Sequence, residues 1–160
     1  MFANNSKFES FNGDLSSLVN GYRMFNRTSL TSFSGDLSSL VNGHEMFANN
    51  TSFNSFNGDL SSLVNGDNMF SGTHLESFSG DLSSLVNGHA MLSNNFLTSF
   101  SGDLSNLVNG KRMFAYDSYI ESFSGDLSNL VEGEGMFYMS SLESFSGDLS
   151  NLVDGNGMFY

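Results

Sequence analysis

The chain has 160 residues, a formal net charge of −12 from 17 acidic and 5 basic residues, and no Cys, Pro or Trp. That balance argues against nucleic-acid partners and anionic membranes, which both select Lys and Arg. The missing Cys removes disulfide frameworks, zinc-finger spacings and thiol nucleophiles. Nor does any apolar run approach the ~20 residues of a bilayer-spanning helix, and the opening MFANNSKFES lacks the basic and apolar regions of a signal peptide.

The chain is a sevenfold repeat. Cut at each Met-Phe or its Met-Leu variant, it falls into units at 1–23, 24–45, 46–68, 69–90, 91–112, 113–135 and 136–157, with 158–160 opening an eighth. A period of 20 to 29 residues is typical of solenoids, so 1–160 is read as one solenoid without capping units. The unit 24–45 serves as the example. Met24-Phe25 and the four residues after them close the coil on one side. A strand is expected over 30–35, where Leu30 and Phe33 are apolar and small polar residues stand between, with Gly35 marking a bend. Asp36 then caps a short helical turn over 37–41. Asn42-Gly43 is a turn signal, because both residues tolerate positive φ. Met24, Phe25, Leu30, Phe33, Leu37, Leu40 and Val41 are the expected core.

No unit folds alone. Full burial of a Phe or Leu is worth ~1.5–3 kcal/mol, while ordering each residue costs ~1–2 kcal/mol of backbone entropy. The balance turns favourable only when neighbours cover each unit. The fold class expected from the repeat is therefore a β-solenoid, with one short parallel strand plus turns or short helical segments per coil.

Stacking turns each repeat position into a row. Asp14, Asp36, Asp59, Asp81, Asp103, Asp126 and Asp148 form an acidic row. Neighbours ~5 Å apart repel by ~3 kcal/mol at an effective dielectric of 20, so the row must face solvent, bond to backbone N–H groups or hold cations. An Asx-type cap is the plain reading, and calcium between coils is the sharper one. A second row runs Asn20, Asn42, Asn65, Asn87 and Asn109, then Glu132 and Asp154, and reads either as an amide ladder or as a turn position. His44, Asp67 and His89 fall on three successive coils, with the two imidazoles two rungs apart, too far for one tetrahedral ion. No catalytic triad is credible, since the three His stand in variable stretches without a repeated Ser or Asp partner.

Variation collects in the pair after each turn Gly and in the stretch after each Met-Phe. Tyr22, Arg23, His44, His89, Lys111, Arg112, Tyr116, Tyr119 and Tyr138 are the candidate contact residues there, because loops vary without disturbing a core. Met1, Phe2, Met158, Phe159 and Tyr160 expose apolar rungs and are the candidate assembly ends.

The order Leu-x-Ser-Phe-x-Gly, Asp-Leu-Ser-x-Leu, Gly-x-x-Met-Phe resembles the BspA-like class of leucine-rich repeats. Gly43-x-x-Met46-Phe47 carries the second half of that motif, and Leu30 and Phe33 carry the first two strand positions. Gly35 replaces the third, and the family's Pro and Cys are absent. The resemblance implies a leucine-rich-repeat-like, right-handed β-solenoid on a bacterial or phage-borne surface protein, with no catalytic residues. A non-enzymatic structural element of an extracellular fibre or adhesin is the expected function, assembled on itself end to end or continued within a longer parent chain. The alternative is a module that holds a cell-surface protein or glycan in its variable loops.

Overall fold

The structure, a computed structural model, describes residues 2–160. Of the expected assembly ends, Met1 lies outside the described residues. Seven two-residue strands recur about every 22 residues: β1 (Ser10–Phe11), β2 (Ser32–Phe33), β3 (Ser55–Phe56), β4 (Ser77–Phe78), β5 (Ser99–Phe100), β6 (Ser122–Phe123) and β7 (Ser144–Phe145). They pair in parallel as β1–β2, β3–β4 and β5–β6–β7, each Ser opposite the Ser of the next unit. This arrangement is compatible with a β-solenoid-like repeat, although the strands form three small sheets rather than one.

Other backbone contacts cross the breaks between sheets. Parallel bridges link Asn20, Asn42, Asn65, Asn87, Asn109, Glu132 and Asp154 without interruption. On the Met-Phe side alternate N–H groups donate to the following unit: Gly21 to Asn42 (2.8 Å), Arg23 to His44 (3.0 Å), Phe25 to Met46 (2.9 Å) and Arg27 to Ala48 (2.9 Å).

Two Phe columns fill the interior. In the first, Phe2, Phe25, Phe47 and Phe70 stack at 5.2–5.5 Å, and Phe114, Phe137 and Phe159 stack at 5.4–5.7 Å. Leu92 separates the two runs. The second column holds the strand phenylalanines. Paired strands keep them 5.5–5.8 Å apart. At the two sheet breaks the separations widen to 6.4 Å for Phe33–Phe56 and 6.3 Å for Phe78–Phe100. The rungs splay where backbone pairing is lost.

Several expectations change. The strand covers only Ser32–Phe33 of the expected 30–35. No helical turn forms over 37–41; a single turn closes there, with the Leu40 N–H donating to the Leu37 C=O at 2.9 Å. That turn buries Leu37 and Leu40 fully and swings Val41 outward, leaving it 39% exposed. Val64, Val86 and Val108 follow it at 39–40%. Gly35 makes room for an aromatic ring: a Cβ there would sit 2.7 Å from the Phe33 ring.

Asn42-Gly43 is not left-handed either. Asn42 is extended to bridge its neighbours on both sides. Gly43 makes room for the Met69 side chain of the next unit, whose Sδ would stand 2.6 Å from a Cβ there. Positive φ falls two residues later, at Arg23, Glu45, Asn68, Ala90, Arg112, Gly135 and Gly157. An L-residue there costs ~1–2 kcal/mol. Ala90→Gly (φ 48° at Ala90) is therefore expected to stabilise the chain by about 1 kcal/mol in urea unfolding.

The 23-residue units accommodate their extra residue in one place. A turn follows Asn5, Asn50 or Asp117, with Phe8, Phe53 or Ile120 donating back to its carbonyl at 3.1, 2.9 and 3.3 Å. The remainder of each rung keeps its register.

Candidate functional site: the variable turn face

Each unit makes the same tight turn after its Gly. The Gly21 C=O accepts the Met24 N–H at 2.9 Å, and Arg23 between them has φ 51°. Positive φ at the third residue is the type II signature. A second left-handed residue follows four positions on, as at Arg27, Asn49, Asn94, Tyr116 and Met139. These two bends place both variable stretches side by side on one face of the rungs.

Toward the N-terminal half this face is a chain of charged and polar contacts. Arg23 grips Glu45 through two hydrogen bonds of 2.8 Å, which hold the Glu45 carboxyl below its usual range. His44 Nε2 lies 3.3 Å from Glu45, and His44 Nδ1 lies 2.9 Å from Asp67. His89 Nδ1 lies 2.9 Å from the other oxygen of Asp67. The spacing of the sequence put two rungs between the imidazoles; the structure fills that gap with one carboxylate that both contact. Tyr22 stacks on His44 at 5.2 Å, and the Arg23 guanidinium sits 5.2 Å from the Tyr22 ring.

Toward the C-terminal half the face opens into a groove of about 410 Å³, lined by Arg112, Tyr116, Glu134, Gly135, Tyr138, Asn156, Gly157 and Tyr160. Tyr138 and Tyr160 lie parallel at 5.4 Å, and Tyr116 stands at 77° to Tyr138. Arg112 occupies the same place in its unit as Arg23. Where Arg23 meets Glu45, however, Arg112 meets Gly135. Among the described residues no carboxylate lies within ion-pair distance of it. Lys111, its neighbour, lies 3.6 Å from both Glu132 and Glu134.

Tyr119 is not part of this groove. It makes an edge contact of 5.4 Å with Phe96, whose ring lies 4.7 Å from His74, on a separate stretch of surface. At the expected ends, Phe159 and Tyr160 are exposed, while Met158 is buried.

Every member of the acidic row accepts the N–H of the residue two positions on, from Asp14 with Ser16 (2.9 Å) to Asp148 with Ser150 (2.8 Å). The hydroxyl and N–H of that serine hold the carboxyls of Asp14, Asp59 and Asp103 below the usual range, and for Asp148 the N–H leads. The Asn row is an amide ladder over only part of its length and a side-chain cap at each Asn, without the left-handed turn expected of Asn42-Gly43. Each Oδ1 caps an N–H two residues on, as Asn42 does for His44 at 3.1 Å. Amide links join Asn42, Asn65 and Asn87 at 3.2 and 3.0 Å. Among the described residues no three His, Cys, Asp or Glu side chains are grouped to hold a metal ion.

One polar row escaped the sequence reading: Asn5, Thr28, Asn50, Thr73, Asn95, Asp117 and Ser140. Asn50 donates to the carbonyls of Phe25 and Phe47 at 2.7 Å each and accepts from Thr28 at 2.6 Å. Asn95 repeats the arrangement with Phe70 and Thr73. Asp117 is equally buried, but neither carboxyl oxygen has a hydrogen-bond partner. Burial pushes its pKa up to about 7; the Leu97 and Tyr119 N–H groups nearby offset part of the shift without closing a bond. The available signal was a lone acid in a column of neutral amides and hydroxyls.

Comparison with protein-family models, curated proteins and solved structures finds no match to this chain. No helix is long and apolar enough to cross a membrane among the described residues.

Proposed function

We propose that the chain is a non-catalytic structural element, a right-handed, leucine-rich-repeat-like solenoid that extends a fibre or surface adhesin by adding rungs. The observation that carries this reading is the sameness of every step along the Asn and Met-Phe sides of the rungs. Gly133 donates to Asp154 at 2.7 Å, Gly135 to Asn156 at 2.9 Å and Phe137 to Met158 at 2.8 Å, as their counterparts do in earlier units. Among the described residues, the N–H groups of Gly155, Gly157 and Phe159 on the last rung and those of Val19 and Asn20 on the first donate to no backbone carbonyl. Unused donors beside exposed apolar side chains are the features that recruit another strand. The next rung comes from a second copy or from further repeats of the same polypeptide. The likeness of the repeat to BspA-like sequences favours an extracellular setting on a cell or virion.

The test is sedimentation velocity over a wide concentration range, with negative-stain microscopy. Elongated, concentration-dependent oligomers are expected. Phe159→Asp sets a carboxylate on the exposed end of the Phe114–Phe137–Phe159 stack, and should leave the circular dichroism spectrum unchanged while shifting the population to monomers. Isolated monomers of the unaltered chain at high concentration would remove the assembly reading.

A further inference from the structure

We propose that the groove between Arg112 and Tyr160 binds a carboxylated sugar, a pyranose ring bearing an acid group such as ends many surface glycans. Arg23 and Arg112 are equivalent, yet Arg23 is neutralised by Glu45 through two 2.8 Å bonds, and Arg112 faces Gly135. A Cβ at Gly135 would lie 3.5 Å from both Arg112 Cγ and Tyr138 Cβ, so any longer side chain would fill the space beside the guanidinium. The glycine that removes the partner also opens the groove.

Positive charge is scarce enough to make that arrangement informative. Beyond Arg27 the only Lys or Arg residues in the chain are Lys111 and Arg112. Lys111 is engaged by Glu132 and Glu134 at 3.6 Å each. Among the described residues Arg112 is therefore the unengaged cation of the groove, with a planar fork suited to carboxylate. The net charge of −12 opposes long polyanions. It favours a ligand with a single acid group.

The remaining walls fit a sugar better than a peptide. The aromatic walls are Tyr116, Tyr138 and Tyr160, and no Val, Leu, Ile or Met lines the groove. Tyrosine rings offer a flat apolar face with a polar tip, which suits the C–H face and hydroxyl edge of a pyranose. The perpendicular setting of Tyr116 against Tyr138 gives two aromatic walls at a corner. Glu134 and Asn156 supply acceptors and donors for ring hydroxyls. A volume of about 410 Å³ lies within the ~300–1,000 Å³ of small-ligand sites.

Titration calorimetry with sialyllactose, lactose and an acetylated acidic dipeptide tests the proposal. Sialyllactose should bind about tenfold or more tightly than either of the others, which corresponds to at least about 1.4 kcal/mol. Arg112→Ala should reduce its affinity by about tenfold or more. Gly135→Glu rebuilds the Arg23–Glu45 pair at this rung and should abolish binding while circular dichroism and oligomer size stay as in the unaltered chain. Positive φ is no bar, since Glu45 holds φ 51° at the equivalent place. Equal binding of lactose or of the dipeptide, no binding of sialyllactose, or full binding by Gly135→Glu would overturn the assignment.

Discussion

Asp117→Asn should stabilise the chain by about 3 kcal/mol at pH 8 and flatten its pH dependence. The carboxyl is fully buried, and neither oxygen finds a hydrogen-bond donor. Its pKa in the folded chain is raised from 3.8 to about 7 by desolvation. A raised carboxyl pKa means that the folded state binds the proton more tightly than the unfolded state. Stability is then greatest below about pH 3.8, falls as pH rises toward 7, and levels off above it. Each pKa unit is worth about 1.4 kcal/mol, so the whole loss is about 4 kcal/mol. Asparagine carries no such cost. By analogy with Asn50, which donates to Phe25 and Phe47, its amide would donate to the carbonyls of Leu92 and Phe114. Urea unfolding at pH 5 and pH 8 measures the effect. A variant no more stable than the parent at pH 8 would show that Asp117 is solvated or paired.

Phe70→Ala is expected to cost about 4 kcal/mol, as large aromatic truncations in cores do. Phe70 is completely buried and stacks on Phe47 at 5.2 Å. It also meets Phe56 and Phe78 at 4.8 and 5.5 Å, so it touches both strand phenylalanines of the β3–β4 pair. The next residue in its column is Leu92, so the aromatic stack already ends there. A cavity at Phe70 would sit between the two aromatic runs, where the rungs are also splayed at β4 and β5. Phe159→Ala at the exposed end serves as the control, since less of its surface is buried. A loss at Phe70 no larger than at Phe159 would mean that the rungs do not share one continuous core.

Much of the rung was legible because repetition multiplies every signal. The Ser-Phe pair, the Asn row and the turn Gly each occur in all seven units or nearly so, and each took a fixed structural place. The Asp row was read as a cap from spacing alone, and each Asp accepts from the serine two residues on. The errors came where one residue has two plausible directions. Val41 follows Leu40 and reads as core, but the turn at Leu37–Leu40 uses up the inward positions and points it outward. Asn42-Gly43 reads as a left-handed turn, yet the pairing of Asn42 on both sides demands an extended backbone. The bend therefore moves to Glu45, a residue with no propensity for it.

The candidate site was legible only as two variable stretches. Nothing in the order of residues says that Arg112, Gly135 and Tyr138 meet, because they belong to successive units and meet across the stack. Whether an arginine is paired or free depends on the residue one unit later, which is a property of rung alignment. Asp117 was missed for a related reason. The extra residue in the 23-residue units blurs the alignment just after that column, and the insertion turn restores it only in three dimensions.

Amino-acid order alone determined the period, the apolar columns and the acidic and amide rows, because a unit too small to bury its own Phe and Leu must repeat them in phase. Tertiary structure decided which way each bend turned and which charges met. Those outcomes depend on backbone hydrogen bonds and free volume between adjacent units, and no single unit contains either.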